Sequence, residues 1–304
     1  MKNLKYWIML ILASFFWAGN YTLGKAVVTQ VTPLQLTFVR WLFASIFMLI
    51  IATIIEKPNW KQVFKSWPIL LFLGFNGLIG YNMALYTALK YTTPVNASLV
   101  SALNPALMVA VSAVVLHERL SKLQKLGIVF SLSGVMVILT QGNLARLVSL
   151  DFNRGDLLML IAIAVWTVYS IVGKRLKTIK PITASAAAAV LSTLVMLPVV
   201  VYQTKAPIAL NTSGILSVVY IVLFPSVGSL MFWNLSVRQI GAATAGVTLN
   251  LIPVFTSLFS ILMGESITLP QIIGGLMVFA GVYTTSGLLE NQIAKRKKKR
   301  GEAV

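Results

Sequence analysis

The sequence predicts an all-α integral membrane protein with ten transmembrane helices, arranged as two inverted five-helix repeats. Three observations carry that expectation. Of 304 residues, 58% are hydrophobic and only 11% charged, with mean hydropathy +0.86. Soluble domains carry about 25% charged residues, so a chain this poor in charge needs lipid as its solvent. Apolar stretches recur along the chain, each close to the ~20 residues that ~30 Å of hydrocarbon requires. Finally, one pattern occurs twice, about 148 residues apart. Trp17 is followed by Gly24-Lys25, and Trp166 by Gly173-Lys174. Lys90, Pro105, Glu118, Gly127 and Gly134 recur as Arg238, Pro253, Glu265, Gly274 and Gly281. Each copy holds about five spans. An odd number of crossings turns the second copy upside down, the arrangement found in alternating-access transporters.

The expected helices run Tyr6–Gly24, Leu34–Ile55, Trp67–Leu89, Val95–Leu116, Leu123–Thr140, Gly155–Gly173, Ala184–Tyr202, Ile215–Leu235, Ala242–Met263 and Leu269–Leu289. The first is expected to be a retained helix, not a cleaved leader, because apolar spans continue to the other end of the chain. Thr32-Pro33 and Thr93-Pro94 each offer an N-cap followed by proline at the first helical position. Ser121 with Gln124, and Thr268 with Gln271, read as capping boxes opening the fifth helix of each copy. The one long polar interruption, Gln141 to Arg154, is the joint. The expected organisation is a first repeat over residues 1–141, a connecting loop over 142–154, a second repeat over 155–289 and a basic tail over 290–304.

Charge sets the expected orientation. With ten crossings both termini share one side. That side carries 19 of the 25 basic residues and the opposite side 5, with Arg40 inside a span. The positive-inside rule then places both termini in the cytoplasm of a multi-pass protein of the plasma or inner membrane. The same bias accounts for the net charge of +18 without nucleic acid. The run Lys295–Arg300 follows directly on a span and lacks aromatic interleaving, so it reads as an anchor to anionic lipid.

The chemistry available inside the bilayer is limited. None of the seven acidic residues falls in the middle of an expected span, the single histidine is at a helix end, and cysteine is absent. No metal cluster, thiolate nucleophile or carboxylate relay can be assembled, and no nucleotide-binding motif or other cofactor signature occurs. An enzyme is therefore not expected. Glu118 and Glu265 close the fourth helix of each copy at the water interface, and read either as ion-coupling or gating carboxylates or, the reading their solvated position favours, as helix-end charges organising the turn before a capped helix.

Arg40 lies seven residues past Pro33, roughly 10 Å down its helix. An arginine at mid-bilayer costs about 2.5–3.5 kcal/mol, so it either snorkels outward or faces a hydrated cavity, where it would hold a carboxylate or phosphate. The second copy has Ala188 near the equivalent position, so the charge is not part of the repeated frame. Asn76, Asn104, Asn250, Trp17 and Trp166 fall near the midplane by counted rise, with Asn20, Tyr21, Tyr81, Ser101, Tyr169 and Thr248 within about two turns of it. Substrate sites of repeat-built transporters lie at this level. Pro105 and Pro253 each free a backbone carbonyl inside a span, tolerable only beside protein or water. Ser98, Ala102, Ala106 and Ala110 form a small-residue stripe. Gly127/Gly134 and Gly274/Gly281 share one spacing, suited either to tight static packing or to a surface on which helices slide.

These residues carry a resemblance. Trp17 with Gly24-Lys25, Asn104-Pro105, His117-Glu118-Arg119-Leu120-Ser121, then Gln124, Gly127 and Gly134, followed by Trp166, Gly173-Lys174, Pro253, Gly264-Glu265, Gln271, Gly274 and Gly281, resemble the EamA family of the drug/metabolite transporter superfamily over nearly the whole chain. The second unit departs from the first at Ile267, where the first has Leu120-Ser121. The resemblance implies ten helices, an inner-membrane location and movement of small metabolites, often amino acids and frequently outward. The expectation is a secondary transporter of small zwitterionic or neutral metabolites. Its rivals are a drug or quaternary-cation exporter, and a membrane scaffold that transports nothing.

Overall fold

Helix formation follows from lipid as solvent, because hydrocarbon offers no partner for a free N–H or C=O. The computed structural model describes residues 4–116, 121–143, 145, 153–173, 176, 178–203, 209–240, 245, 247–285, 289 and 292, and these are helical throughout apart from short connections. The His117–Leu120 part of the first-copy motif, Lys174 and the basic run Lys295–Arg300 lie outside them. In the first repeat, α1 is Leu4–Val27 and α2 is Pro33–Glu56. Helix α3 is Trp67–Tyr91, α4 is Pro94–Ser101 continued by Asn104–Leu116, and α5 is Lys122–Thr140. In the second, α6 is Arg154–Gly173 and α7 is Pro181–Gln203. Helix α8 comprises Thr212–Ile221, Val222–Ser229 and Leu230–Ile240, α9 is Thr248–Leu262, and α10 is Leu269–Thr285. Seven of the described helices are long and apolar enough to cross a membrane, and α9 and α10 are shorter apolar helices.

The caps expected from sequence are visible at several starts. Thr32 forms a full capping box with Gln35, and Ser121 one with Gln124. Thr93 accepts from Asn96 N. At Thr268 the described half of the box is its backbone N–H donating to Gln271 Oε1 at 2.8 Å. A short helix, Trp60–Lys65, capped by Asn59, was not expected and precedes α3. The expected fourth-helix prolines also sit differently. Each follows a break, so Pro105 stands in the first turn of Asn104–Leu116, and Pro253 just past a tight turn at Val247–Asn250. Proline is tolerated there because first-turn N–H groups have no intrahelical acceptor.

The duplication is written into the packing. Both α3 and α8 widen into π-helical turns, at Gly74–Gly80 and Val222–Ser229, positions that correspond under the repeat. Helix α6 packs on α3 and α4, and α1 packs correspondingly on α8 and α9, while α2 pairs with α7 and α5 with α10. Exchanging the copies maps this set of contacts onto itself. The self-paired helices show the sense of the axis. A Cβ added to Gly134 would lie 2.7 Å from Gly274 O, one on Gly274 2.7 Å from Gly134 O, and one on Gly281 2.6 Å from Gly127 O. The first-copy glycine nearer the N-terminus therefore meets the second-copy glycine nearer the C-terminus. Helices α5 and α10 run antiparallel, and the repeats are inverted. Backbones approach this closely only because these positions lack side chains. At the ends of α2 and α7, the Glu56 carboxylate accepts from Ile182 N at 3.2 Å and Thr183 N at 2.8 Å, capping α7 from across the interface.

Overpacking a filled interface costs about 1–3 kcal/mol. Gly134→Val is therefore expected to lower the thermal midpoint of the detergent-solubilised protein clearly. Gly173→Ala, whose added carbon meets nothing nearer than Leu73 at 3.9 Å, is expected to leave the midpoint unchanged. Equal shifts in the two variants would contradict the packing described.

Candidate functional site

The two π turns aim the site. A widened turn shifts backbone pairing from i→i+4 to i→i+5, and such turns recur at functional sites. In α8, Pro225 has no N–H, and the Pro225 carbonyl accepts Trp17 Nε1–H at 3.1 Å. In α3, the Leu78 carbonyl accepts from Trp41 Nε1 at 3.1 Å and Asn82 Nδ2 at 2.8 Å. Ser226, one residue past the proline, donates to Ile221 O at 2.7 Å, which turns its oxygen lone pairs towards α2.

Those lone pairs meet Arg40, which is 5% exposed. Its Nε donates to Ser226 Oγ at 2.7 Å. Its Nη1 donates to Asn82 Oδ1 at 2.8 Å, Tyr86 Oη at 2.7 Å and Asn20 Oδ1 at 3.1 Å. The acceptors are themselves held. Tyr86 donates to Asn20 Oδ1 at 2.8 Å, and Asn82 is fixed through Leu78 O. The guanidinium also lies 5.0 Å from the centre of the Trp41 ring. Every one of these partners is neutral. Among the described residues no carboxylate faces the cation and no hydrogen bond occupies its Nη2. A buried charge without a counterion costs several kcal/mol, and hydrogen bonds to neutral oxygens offset only part of that.

Arg40 lines a central cavity, with about 80 Å³ open to the centres of water molecules. At roughly 10–15 Å³ per water this is room for a handful of waters or one small solute. The wall draws on α1, α2, α3 and α4 of one repeat and α6, α8 and α9 of the other. Trp17 and Trp166, equivalent under the repeat, stand in it together with Asn20, Tyr21, Tyr81, Ser101 and Asn104. The Tyr21 hydroxyl bridges Ser101 Oγ at 2.6 Å and Tyr81 Oη at 3.2 Å, and the Tyr81 and Trp166 rings lie 5.1 Å apart. Asn104 Oδ1 accepts from Thr167 Oγ1 at 3.3 Å. Arg40 thus faces the cavity and does not snorkel.

Four residues selected by depth are not in this wall. The Asn76 amide donates to Phe72 O on its own helix at 3.0 Å. Tyr169 sits behind the wall against Gly77, its ring 5.0 Å from Trp166. Thr248 donates its hydroxyl to Ala245 O, and its carbonyl accepts from Ser14. Asn250 lies beside the wall residues Leu249 and Ile252, its Oδ1 buried without a partner among the described residues. Depth fixes the level of a residue but not the face of the helix it occupies. The reading by depth also passed over Trp41, Asn82, Tyr86 and Ser226. Pro225 inside an apolar run was the available signal for the last of these, since a proline frees a carbonyl and marks a wet or protein-lined face.

Comparison with known proteins adds the family. A model of the EamA-like transporter family matches residues 4–140 and 153–287. The "Uncharacterized transporter YyaM" of Bacillus subtilis (strain 168) is 31% identical, the match covering 95% of this chain and 96% of that protein. A "Probable amino-acid metabolite efflux pump" of Salmonella typhimurium (strain LT2) is 24% identical over 90% of this chain and 92% of its own length. A crystal structure with a TM-score of 0.66 and 21% identity covers 94% of this chain and 97% of that one, a likeness of fold.

The cluster around Arg40 makes a stability prediction. Asn82→Leu removes one acceptor and leaves the buried cation worse satisfied, a loss of about 1.5–3 kcal/mol. In the Arg40→Met background the same change is expected to cost much less. A thermal-unfolding double-mutant cycle reads the difference, and strictly additive losses would contradict the hydrogen-bonded cluster.

Proposed function

The chain belongs to the EamA-like transporter family, and from that premise we propose that it is a secondary transporter that exports small metabolites bearing a carboxylate, amino acids foremost, by alternating access. It would do so as a plasma-membrane protein of ten crossings with both termini in the cytoplasm. The repeats would rock about the axis that relates them, opening the central cavity to each side in turn.

The observation that carries this reading is the uncompensated Arg40 cation beside a small cavity at the repeat interface. A carboxylate entering that cavity would find a fixed guanidinium edge, held in place by four neutral acceptors. With Nε and Nη1 already donated to these acceptors, Nη2 is the nitrogen left to meet it, and a charge-assisted hydrogen bond of this kind is about twice as strong as a neutral one. The tyrosine hydroxyls and Asn104 suit an ammonium or other polar group, and the tryptophans an apolar side chain. Support for amino acids also comes from the Salmonella relative, whose name is "Probable amino-acid metabolite efflux pump". The aromatic wall would equally suit a quaternary ammonium ion. Arg40 opposes that reading, because a fixed positive charge repels a cationic solute in a low-dielectric pocket.

Reconstitution in liposomes with counterflow of labelled amino acids tests the proposal. Free amino acids are expected to exchange and to compete with one another, whereas their methyl esters do not compete. Arg40→Gln is expected to lower uptake by about 10- to 100-fold, the size of one lost charge-assisted contact, in protein that still elutes as a single species. Competition by quaternary ammonium compounds, or undiminished exchange in Arg40→Gln, would contradict it.

A further inference from the structure

A second concave feature lies away from the central cavity, where α2, α3, α7 and the short helix Trp60–Lys65 meet. It offers about 480 Å³ to the centres of water molecules and is walled by Leu49, Ile50, Val63, Leu70, Val190 and Leu191 among other apolar side chains. Apart from the indole N–H groups of Trp60 and Trp67, its one polar side chain is Thr53, whose hydroxyl is committed to Leu49 O at 3.0 Å and Ile50 O at 2.7 Å. A buried water needs two to four polar partners, and this wall of aliphatic and aromatic side chains offers it no acceptor side chain beyond the committed Thr53. The groove demands hydrocarbon.

The short helix whose Trp60, Val63 and Phe64 wall the groove also carries the opposite chemistry. Lys61 and Lys65 stand one turn apart on the exposed face of the short helix, and Lys57 precedes it. Trp60 and Trp67, 37% and 54% exposed, flank the same segment as interfacial aromatics do. The neighbouring acid does not neutralise these lysines, because Glu56 is 7% exposed and its carboxylate is taken by the N–H groups of Ile182 and Thr183 and the Thr183 hydroxyl. No ion pair involves the three lysines among the described residues. An occupant that satisfies both halves has an acyl chain for the groove and an anionic head for the lysines.

We propose that this groove is a binding site for one anionic glycerophospholipid, with an acyl chain between α2 and α7 and its phosphate at Lys57, Lys61 and Lys65. The site is independent of the transport reading and of the basic tail. Each lysine near an anionic headgroup strengthens the attraction, so preference over a zwitterionic lipid of the same chains is expected to be on the order of 10- to 100-fold.

The test uses the full chain in a neutral detergent, titrated with phosphatidylglycerol or with phosphatidylcholine of matched chains. Bound lipid is counted by native mass spectrometry, and the thermal midpoint is followed in parallel. Wild type is expected to retain phosphatidylglycerol selectively and to gain thermal stability from it. A variant with Lys295–Arg300 all replaced by glutamine is expected to keep that selectivity. Lys57→Gln/Lys61→Gln/Lys65→Gln is expected to bind the two lipids alike, and Val190→Trp, which fills the groove, to lose retained lipid of both kinds. Equal retention of the two lipids by wild type, selectivity surviving in the triple lysine variant, or selectivity lost with the tail would each overturn the proposal. Should Val190→Trp fail to fold, the exposed lysine substitutions still decide it.

Discussion

The constraint on which the rest of this structure depends is the absence of any partner for a free carbonyl or N–H in hydrocarbon. Where a helix keeps its ladder, the rule is met locally and the side chains are free to be apolar. Where the ladder opens, a side chain must come in from elsewhere. That is how the centre of this protein is built. The Pro225 carbonyl in the π turn of α8 accepts Trp17, and the Leu78 carbonyl in the π turn of α3 accepts Trp41 and Asn82. Ser14 does the same for Thr248 in α9. Each repair carries a polar or aromatic side chain to the middle of the bundle. Three of the repairing residues, Trp17, Trp41 and Asn82, line the cavity.

Inversion explains why the cavity lies where it does. The glycine-faced pair α5 and α10 and the pair α2 and α7 close on themselves across the axis, while α1 and α6 each reach into the opposite copy. Trp17 and Trp166 meet in one wall because the axis passes between them. The shared frame then makes the departure at Arg40 informative. Ala188, near its equivalent position, is buried on α7 with no polar side chain. Asn20, Asn82, Tyr86 and Ser226 gather around one cation on one side of an otherwise paired architecture. The paired scaffold thus holds one charge that its symmetry does not repeat.

Much of this was legible in the chain before any coordinates. Apolar composition, the repeated Trp, Gly and Pro landmarks and the capping residues lead to the helices and to their inversion, because each reflects a demand that lipid or backbone chemistry makes locally. The level of the cavity was also legible, since counted rise places Trp17 near the midplane and Tyr21 and Ser101 within about two turns of it. Azimuth was not. Asn76 and Tyr81 sit five residues apart on α3, yet only Tyr81 reaches the cavity. Five residues turn through about 140° in a regular helix, and the π turn that alters this count has no signature beyond glycines at Gly74, Gly77 and Gly80. The acceptors of Arg40 were hidden for a similar reason. Ser226 belongs to α8 and Tyr86 to α3, and only the closed bundle brings them to α2.

The most direct test of the central claim, a positive potential in an otherwise neutral cavity, exploits the absence of cysteine from the chain. Ser101→Cys places a single thiol in the cavity wall, where it can be labelled with methanethiosulfonates of equal size and opposite charge. The anionic sulfonatoethyl reagent is predicted to react faster than the cationic trimethylammonium-ethyl reagent, and the preference is predicted to vanish when Arg40→Gln is added. Faster reaction of the cationic reagent, or a preference indifferent to Arg40, would contradict the account.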